Sequence, residues 1–263
     1  MREAIVWVCI DLLNFIFIKI NFIYFTLKNS KIISIIIPCY NEINTIGLIV
    51  DKINKLQDLN KQIIIVDDFS NDGTADYIKS KLINKIDRLI LHNQNLGKGA
   101  AIKSAQNYVK GDIVIIQDAD LEYYPEDYYE LISPIINNNY KVVYGSRVLN
   151  KKRYFDKNFT SIYRILANHI LTVISNIINN QNLTDAHTCY KVFDSSIFKK
   201  LVFEENDFSF CPEVTTKISR MHIKIYEVPI KYTGRNYSEG KKINFYDGIK
   251  AILVLFKYRF IKK

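Results

Sequence analysis

Two carboxylates separated by a single residue stand in Asp118-Ala119-Asp120, directly after the apolar run Ile113-Val114-Ile115-Ile116-Gln117. Paired carboxylates at the end of a buried strand can hold one divalent cation. Mg2+ and Mn2+ take hard oxygen ligands and bridge readily to a diphosphate. Glu122, two residues further on, is placed to complete such a set. The bland alternative is a polar turn, because Asp-x-Asp by itself is a common string. A second loaded stretch is Val66-Asp67-Asp68-Phe69-Ser70-Asn71-Asp72-Gly73-Thr74. Asp68 at its strand end can accept hydrogen bonds from a base or ribose, while Asp72 suits a turn or helix start. A third, Asn95-Leu96-Gly97-Lys98-Gly99, is not a Walker phosphate loop, since His92 stands where glycine is required and Gly99 where Ser or Thr is required. Lys98 at a glycine-flanked helix start can still approach an anionic ligand.

These clusters need strands to carry them. Apolar, β-branched runs at 32–37, 63–66, 89–91, 113–116 and 142–144 read as strands, and the pattern predicts helices over 43–56, 74–82, 100–109 and 126–136. Such alternation predicts a mostly parallel, Rossmann-like α/β sheet whose strand ends bind ligands. Asn41-Glu42, Asp67-Asp68 and Asp118-Ala119-Asp120 all fall at those ends. Beyond Arg147 the alternation stops. The basic stretch 151–158 suits a mobile lid, 162–178 an apolar helix, 190–193, 224–227 and 229–232 strands, and 245–260 a terminal helix. No linker divides the chain, so 31–263 is expected to be one catalytic domain.

The 263 residues include 48% hydrophobic and 24% charged side chains, which suits a folded protein, and the net charge of +9 favours anionic partners. Cys9, Cys39, Cys189 and Cys211 form no metal-binding spacing and fit free thiols in a reducing compartment. Residues 1–30 are hydrophobic but interrupted by Asp11, Asn14, Lys19 and Asn21. They suit a membrane-associated helix, with a helix packed on the catalytic domain as the alternative.

Taken together, Ile37-Pro38-Cys39-Tyr40-Asn41-Glu42, the Asp67-Asp68 stretch, Asn95-Leu96-Gly97-Lys98-Gly99, Asp118-Ala119-Asp120-Leu121 and Gly145-Ser146-Arg147 resemble the family 2 glycosyltransferases. The resemblance runs from about residue 33 to 260 and is strongest toward the dolichyl- and polyprenyl-phosphate sugar synthases. It implies a GT-A fold and a UDP- or GDP-linked sugar donor held by Pro38, Tyr40, Glu42 and Asp68. It implies a divalent cation, Mg2+ or Mn2+, on Asp118 and Asp120, with Glu122 where the branch often has Gln. It implies phosphate contacts from Arg147, Arg164 and Arg235, a lipid-phosphate acceptor, and a place at the cytoplasmic face of a membrane. The chain departs from the branch at Asp185-Ala186-His187-Thr188-Cys189, where Asp-Pro-x-Ser-Gly is usual.

The acceptor decides whether a base is needed. A lipid phosphate is already an anionic nucleophile, whereas a sugar hydroxyl of a cell-surface glycan needs a general base, for which Asp185 and Glu213 are the candidates. The rivals are nucleotidyl transfer, which also uses paired carboxylates and a metal, and a non-catalytic basic protein that binds membrane or nucleic acid. No nucleic-acid motif is present to favour the last, so no nucleic-acid partner is expected.

Overall fold

The structure is a computed structural model that describes residues 31–150, 162–235 and 245–261. Its centre is a sheet of seven strands in the order β3-β2-β1-β4-β6-β5-β7. The strands are β1 (Ile32–Cys39), β2 (Asn60–Asp67), β3 (Arg88–Leu91), β4 (Ile113–Ile116), β5 (Val142–Ser146), β6 (Lys191–Asp194) and β7 (Tyr226–Pro229). Neighbours pair in parallel except at β6, which runs antiparallel to both β4 and β5. The consecutive apolar residues explain the layering. Ile35, Ile36 and Ile37 are all fully buried, as are Ile113, Val114 and Ile115, so both faces of the central strands are covered.

The helices α1 (Ile46–Asn54), α2 (Thr74–Tyr77), α3 (Lys98–Gln106) and α4 (Tyr128–Asn137) alternate with the first strands. On α1, Ile46, Ile49, Val50 and Ile53 recur at helical spacing and are all buried. Beyond β5 come α5 (Ile162–Asn179), α6 (Ser195–Phe198), α7 (Phe210–Arg220) and α8 (Phe245–Phe256). The helix expected over 74–82 changes pitch, with α2 passing into a π-helical turn at Ile78–Leu82. The terminal helix does the same at Lys257–Ile261.

Two expectations need correction. The strands expected at 224–227 and 229–232 are one strand, β7, followed by a single bridge from Tyr232 to Tyr123. Helix α7 was not anticipated, because Glu213, Thr215, Thr216 and Ser219 are buried beside Val214 and Ile218 and blur any apolar stripe. Strands β6 and β7 carry the second half of the chain into the same sheet as β1 to β5. The stretches 1–30 and 151–158 lie outside the described residues.

Candidate active site

The carboxyl ends of β1, β2 and β4 open into one cleft lined by Pro38, Tyr40, Glu42, Asp68, Lys98, Asp118 and Asp120, closed on its far side by Asp207, Phe208 and Arg235. Each strand end turns through a residue with positive φ: Asn41 at 54°, Phe69 at 65° and Leu121 at 63°. Phe69 and Leu121 gain nothing locally from that conformation, which side chains other than Asn and Gly rarely adopt. Strain of this kind collects where a backbone must present groups to a ligand.

Asp118 and Asp120 keep part of their side chains accessible, 21% and 16%, within an otherwise buried loop. Below them Gln117 is fully buried. Its Oε1 accepts the hydroxyls of Tyr128 at 2.8 Å and Tyr190 at 2.7 Å, and its Nε2 donates to the Asp118 carbonyl at 2.9 Å. This network fixes the backbone from which both carboxylates project. Burial raises the Asp120 carboxyl above its ordinary range, and the neighbouring charges of Asp118 and Glu122 add to that, against the pull of Arg235. Lys98 ion-pairs with Asp118. Burial works against its charge, but the Asp118 carboxylate outweighs that and keeps the ammonium well above its usual pKa.

These features bear on a cation. Two hard-oxygen donors share one accessible spot and repel one another there, and the protein's own cations, Lys98 and Arg235, lean on them. That donor set fits Mg2+ or Mn2+, the rest of the coordination shell being left to a ligand and water. Glu122 does not serve as the expected third donor. Its Oε1 accepts the Arg235 amide at 2.7 Å and its Oε2 the Tyr232 hydroxyl at 3.0 Å, and it does not line the cleft.

Asp68 lines the cleft but is already well bonded. Its carboxylate accepts the amides of Leu96 at 2.8 Å and Gly97 at 2.7 Å and lies 2.6 Å from His92 Nδ1. It thereby holds the 95–97 turn against β2. The two glycines of that turn have a steric cause. A Cβ on Gly97, at φ +99°, would meet the Asn206 carbonyl at 2.5 Å, and one on Gly99 the Glu205 carbonyl at 2.1 Å. The backbone of 205–207 therefore lies directly on the turn, and the Ala100 amide donates to the Asn206 carbonyl at 3.0 Å.

Arg235 reaches across the cleft. It holds Glu42 through Nη1 at 3.1 Å and Nη2 at 2.9 Å, and Asp120 through Nη2 at 3.3 Å. Arg147 and Asp185, expected as a phosphate ligand and a candidate base, face each other instead. Nε and Nη2 of Arg147 donate to Asp185 at 2.6 and 2.8 Å, and Asn168 Nδ2 donates to the same carboxylate at 3.0 Å. Burial would raise the Asp185 carboxyl, but the Arg147 guanidinium holds it down at about 2. Fully buried and holding the Arg147 guanidinium and the Asn168 amide, Asp185 is engaged here as a counter-ion. Glu213 is likewise engaged by neighbouring groups. It is fully buried and accepts the amides of Glu204 at 2.8 Å and Glu205 at 3.0 Å and the Lys217 ammonium at 2.7 Å. The side chain of Arg164 lies outside the described residues. Asp207 and Phe208 were missed because they belong to no motif and reach the cleft only through the fold.

A mostly parallel sheet with paired carboxylates in a cleft at its strand ends is the arrangement expected of the GT-A fold. The model of the family described as "Glycosyl transferase family 2" matches residues 34–202, and the chain belongs to that family. It is 32% identical over 246 residues to the UDP-N-acetylglucosamine–dolichyl-phosphate N-acetylglucosaminyltransferase of Methanococcus voltae, covering 84% of this chain and 93% of that one. It is 28% identical over 247 residues to a dolichyl-phosphate beta-glucosyltransferase of Trichomonas vaginalis, covering 88% and 73%. Among solved structures it is similar to glucosyl-3-phosphoglycerate synthase of Mycobacterium tuberculosis in complex with Mn2+, UDP and phosphoglyceric acid, with a TM-score of 0.64 and 18% identity over 90% and 82% of the two chains. That likeness carries the fold.

Proposed function

We propose that this glycosyltransferase moves a sugar from a UDP- or GDP-linked donor to a polyprenyl phosphate, with inversion at the anomeric carbon. The observation that carries the reading is the state of the cleft's carboxylates. Among the described residues that line it, each is committed: Glu42 and Asp120 to Arg235, Asp68 to backbone amides, Asp118 to Lys98 and Asp207 to Lys250. With Asp185 and Glu213 buried as well, an acceptor that needs no deprotonation fits best. A phosphate oxygen attacks the anomeric carbon, the bond from that carbon to the donor diphosphate breaks, and the nucleoside diphosphate leaves with the electron pair. The dolichyl-phosphate acceptors named in the two relatives support the same class.

In this reading Pro38, Tyr40, Glu42 and Asp68 seat the nucleoside, with Asp68 acting through the turn it holds as well as at the cleft. Asp118 and Asp120 would hold a divalent cation, which supplies charge neutralisation to the leaving diphosphate. Lys98 adds a fixed positive charge beside it. Arg235 stays on Glu42 and, with Asp120 taken by the cation, turns the edge that faced Asp120 to a phosphate, whose oxygens match the guanidinium fork better than a single ammonium would. The reaction class is tested by presenting UDP- and GDP-sugars with polyprenyl phosphate and, separately, with oligosaccharide acceptors, and by reading the anomeric configuration of the product. Prenyl-phosphate-linked sugar of inverted configuration is expected. Transfer to a sugar hydroxyl alone would overturn the acceptor assignment.

A further inference from the structure

Helix α5 is arranged the wrong way round for a protein surrounded by water. Its inward side carries Thr172, Ser175 and Asn179, each 1% exposed, together with Asn168, which holds Asp185. Its outward side carries Leu166, Ile170, Val173 and Ile177, exposed by 47%, 51%, 45% and 77%. That spacing makes one stripe along the helix. Helix α8 and its π-helical end show a second stripe, Ile249, Leu253, Phe256 and Phe260, opposite the buried Ala251, Val254, Leu255 and Tyr258. The two helices pack against each other and both pack on α7, so the exposed stripes lie on neighbouring helices. Single exposed apolar residues need no explanation, but a continuous apolar face does.

We propose that α5 and α8 form a docking face that lies on an anionic lipid bilayer. Charge selects this occupant. No acidic residue occurs between 162 and 179 or after Asp247, whereas Arg259, Lys262 and Lys263 follow in the same terminal stretch, beyond Lys250 and Lys257, whose charges are taken by Asp207 and Glu205, in a chain of net charge +9. Basic residues beside an apolar, Phe-bearing face are what an anionic headgroup layer attracts. Among the described residues no helix is long and apolar enough to cross a membrane, so the face rests on the bilayer and does not span it. The face is also tied to the cleft. Lys250 pairs with Asp207, and Lys257 and Tyr258 hold Glu205, in the same segment that seats the Gly97–Gly99 turn. The inference deepens the lipid-acceptor reading, yet it is measured without turnover.

The test places a polarity-sensitive fluorophore on a single cysteine in the full chain carrying Cys9→Ser, at Ile170→Cys or Leu253→Cys. The remaining cysteines, Cys39, Cys189 and Cys211, are buried, and Leu48→Cys on α1, 54% exposed, serves as the control. Vesicles of phosphatidylcholine with phosphatidylglycerol are added. A blue shift with several-fold brightening is expected at 170 and 253, with no change at 48, and the response should weaken in vesicles of phosphatidylcholine alone. Labels at 170 and 253 that stay in water on vesicle-bound protein overturn the proposal. So do labels already shielded before lipid is added, which would mean that residues 1–30 or a second copy covers the face. Penetration without any transfer to prenyl phosphate would leave the docking face standing and remove the acceptor reading, whereas transfer without penetration would do the reverse.

Discussion

Replacing Asp185 by Asn separates a positioning carboxylate from a catalytic base. In the structure Asp185 is fully buried and grips an Arg147 side chain that is only 14% exposed. Taking away the charge leaves a guanidinium buried without its counter-ion, a change that costs about 3–5 kcal/mol in comparable pairs. For a domain of this size each kcal/mol lowers Tm by roughly 2–4 °C, so a fall of roughly 6–20 °C is expected by circular dichroism. The pH dependence has a defined sign. Because Asp185 is held down at about 2, below an unfolded value of about 3.9, its contribution to stability is complete above the unfolded value. That contribution is lost as pH falls through about 2, and Asp185→Asn should lack this acid step. Transfer measured below both melting transitions should persist at a reduced rate. An Asn variant with an unchanged Tm and no turnover would instead make Asp185 the base.

Two further outcomes follow from the cleft. Gly99→Ala puts a Cβ on the Glu205 carbonyl, so the 205–207 segment must move. A loss of about 1–3 kcal/mol in stability is expected from denaturant unfolding, together with a raised donor KM, and an unperturbed donor KM would mean that the segment does not shape the donor site. Arg235→Lys loses the fork that spans Glu42 and Asp120. It should lower transfer roughly 10- to 100-fold, the kinetic equivalent of about 1.5–3 kcal/mol for a charge-assisted bond, with a smaller change in donor affinity by calorimetry. Equal losses in both would place Arg235 on the donor alone.

The sheet and the three loaded strand ends were legible because buried parallel strands are written as unbroken β-branched runs, and Ile32–Cys39, Ile113–Ile116 and the carboxylates after them are local features. The grouping of Pro38, Tyr40, Glu42, Asp68, Lys98, Asp118 and Asp120 around one cleft follows from that topology. What the sequence concealed is pairing at a distance. Arg147 and Asp185 each look like free functional groups until the fold closes one on the other, and Glu122 looks like a ligand until Tyr232 and the Arg235 amide take its oxygens. In the sequence the glycines at 97 and 99 mark only a glycine-flanked helix start, whereas their steric cause, the backbone of 205–207, lies more than a hundred residues away. Helix α7 was hidden for a related reason, since its buried residues mix Glu213, Thr215, Thr216 and Ser219 with Phe210, Val214 and Ile218, and Glu213 is satisfied by amides from another segment.

Asp118 and Asp120 are proposed to hold a divalent cation against the donor diphosphate. This is tested most directly by titrating Mn2+ into the chelator-treated protein with a nucleotide-sugar present, following sugar transfer to polyprenyl phosphate, and repeating this with the folded Asp118→Asn/Asp120→Asn variant. Transfer is expected to be absent without metal, restored by Mn2+ or Mg2+ in the parent, and lost at every metal concentration in the variant, whose circular dichroism spectrum stays that of the folded protein. Metal-independent transfer by the parent, or normal turnover by the variant, would contradict it.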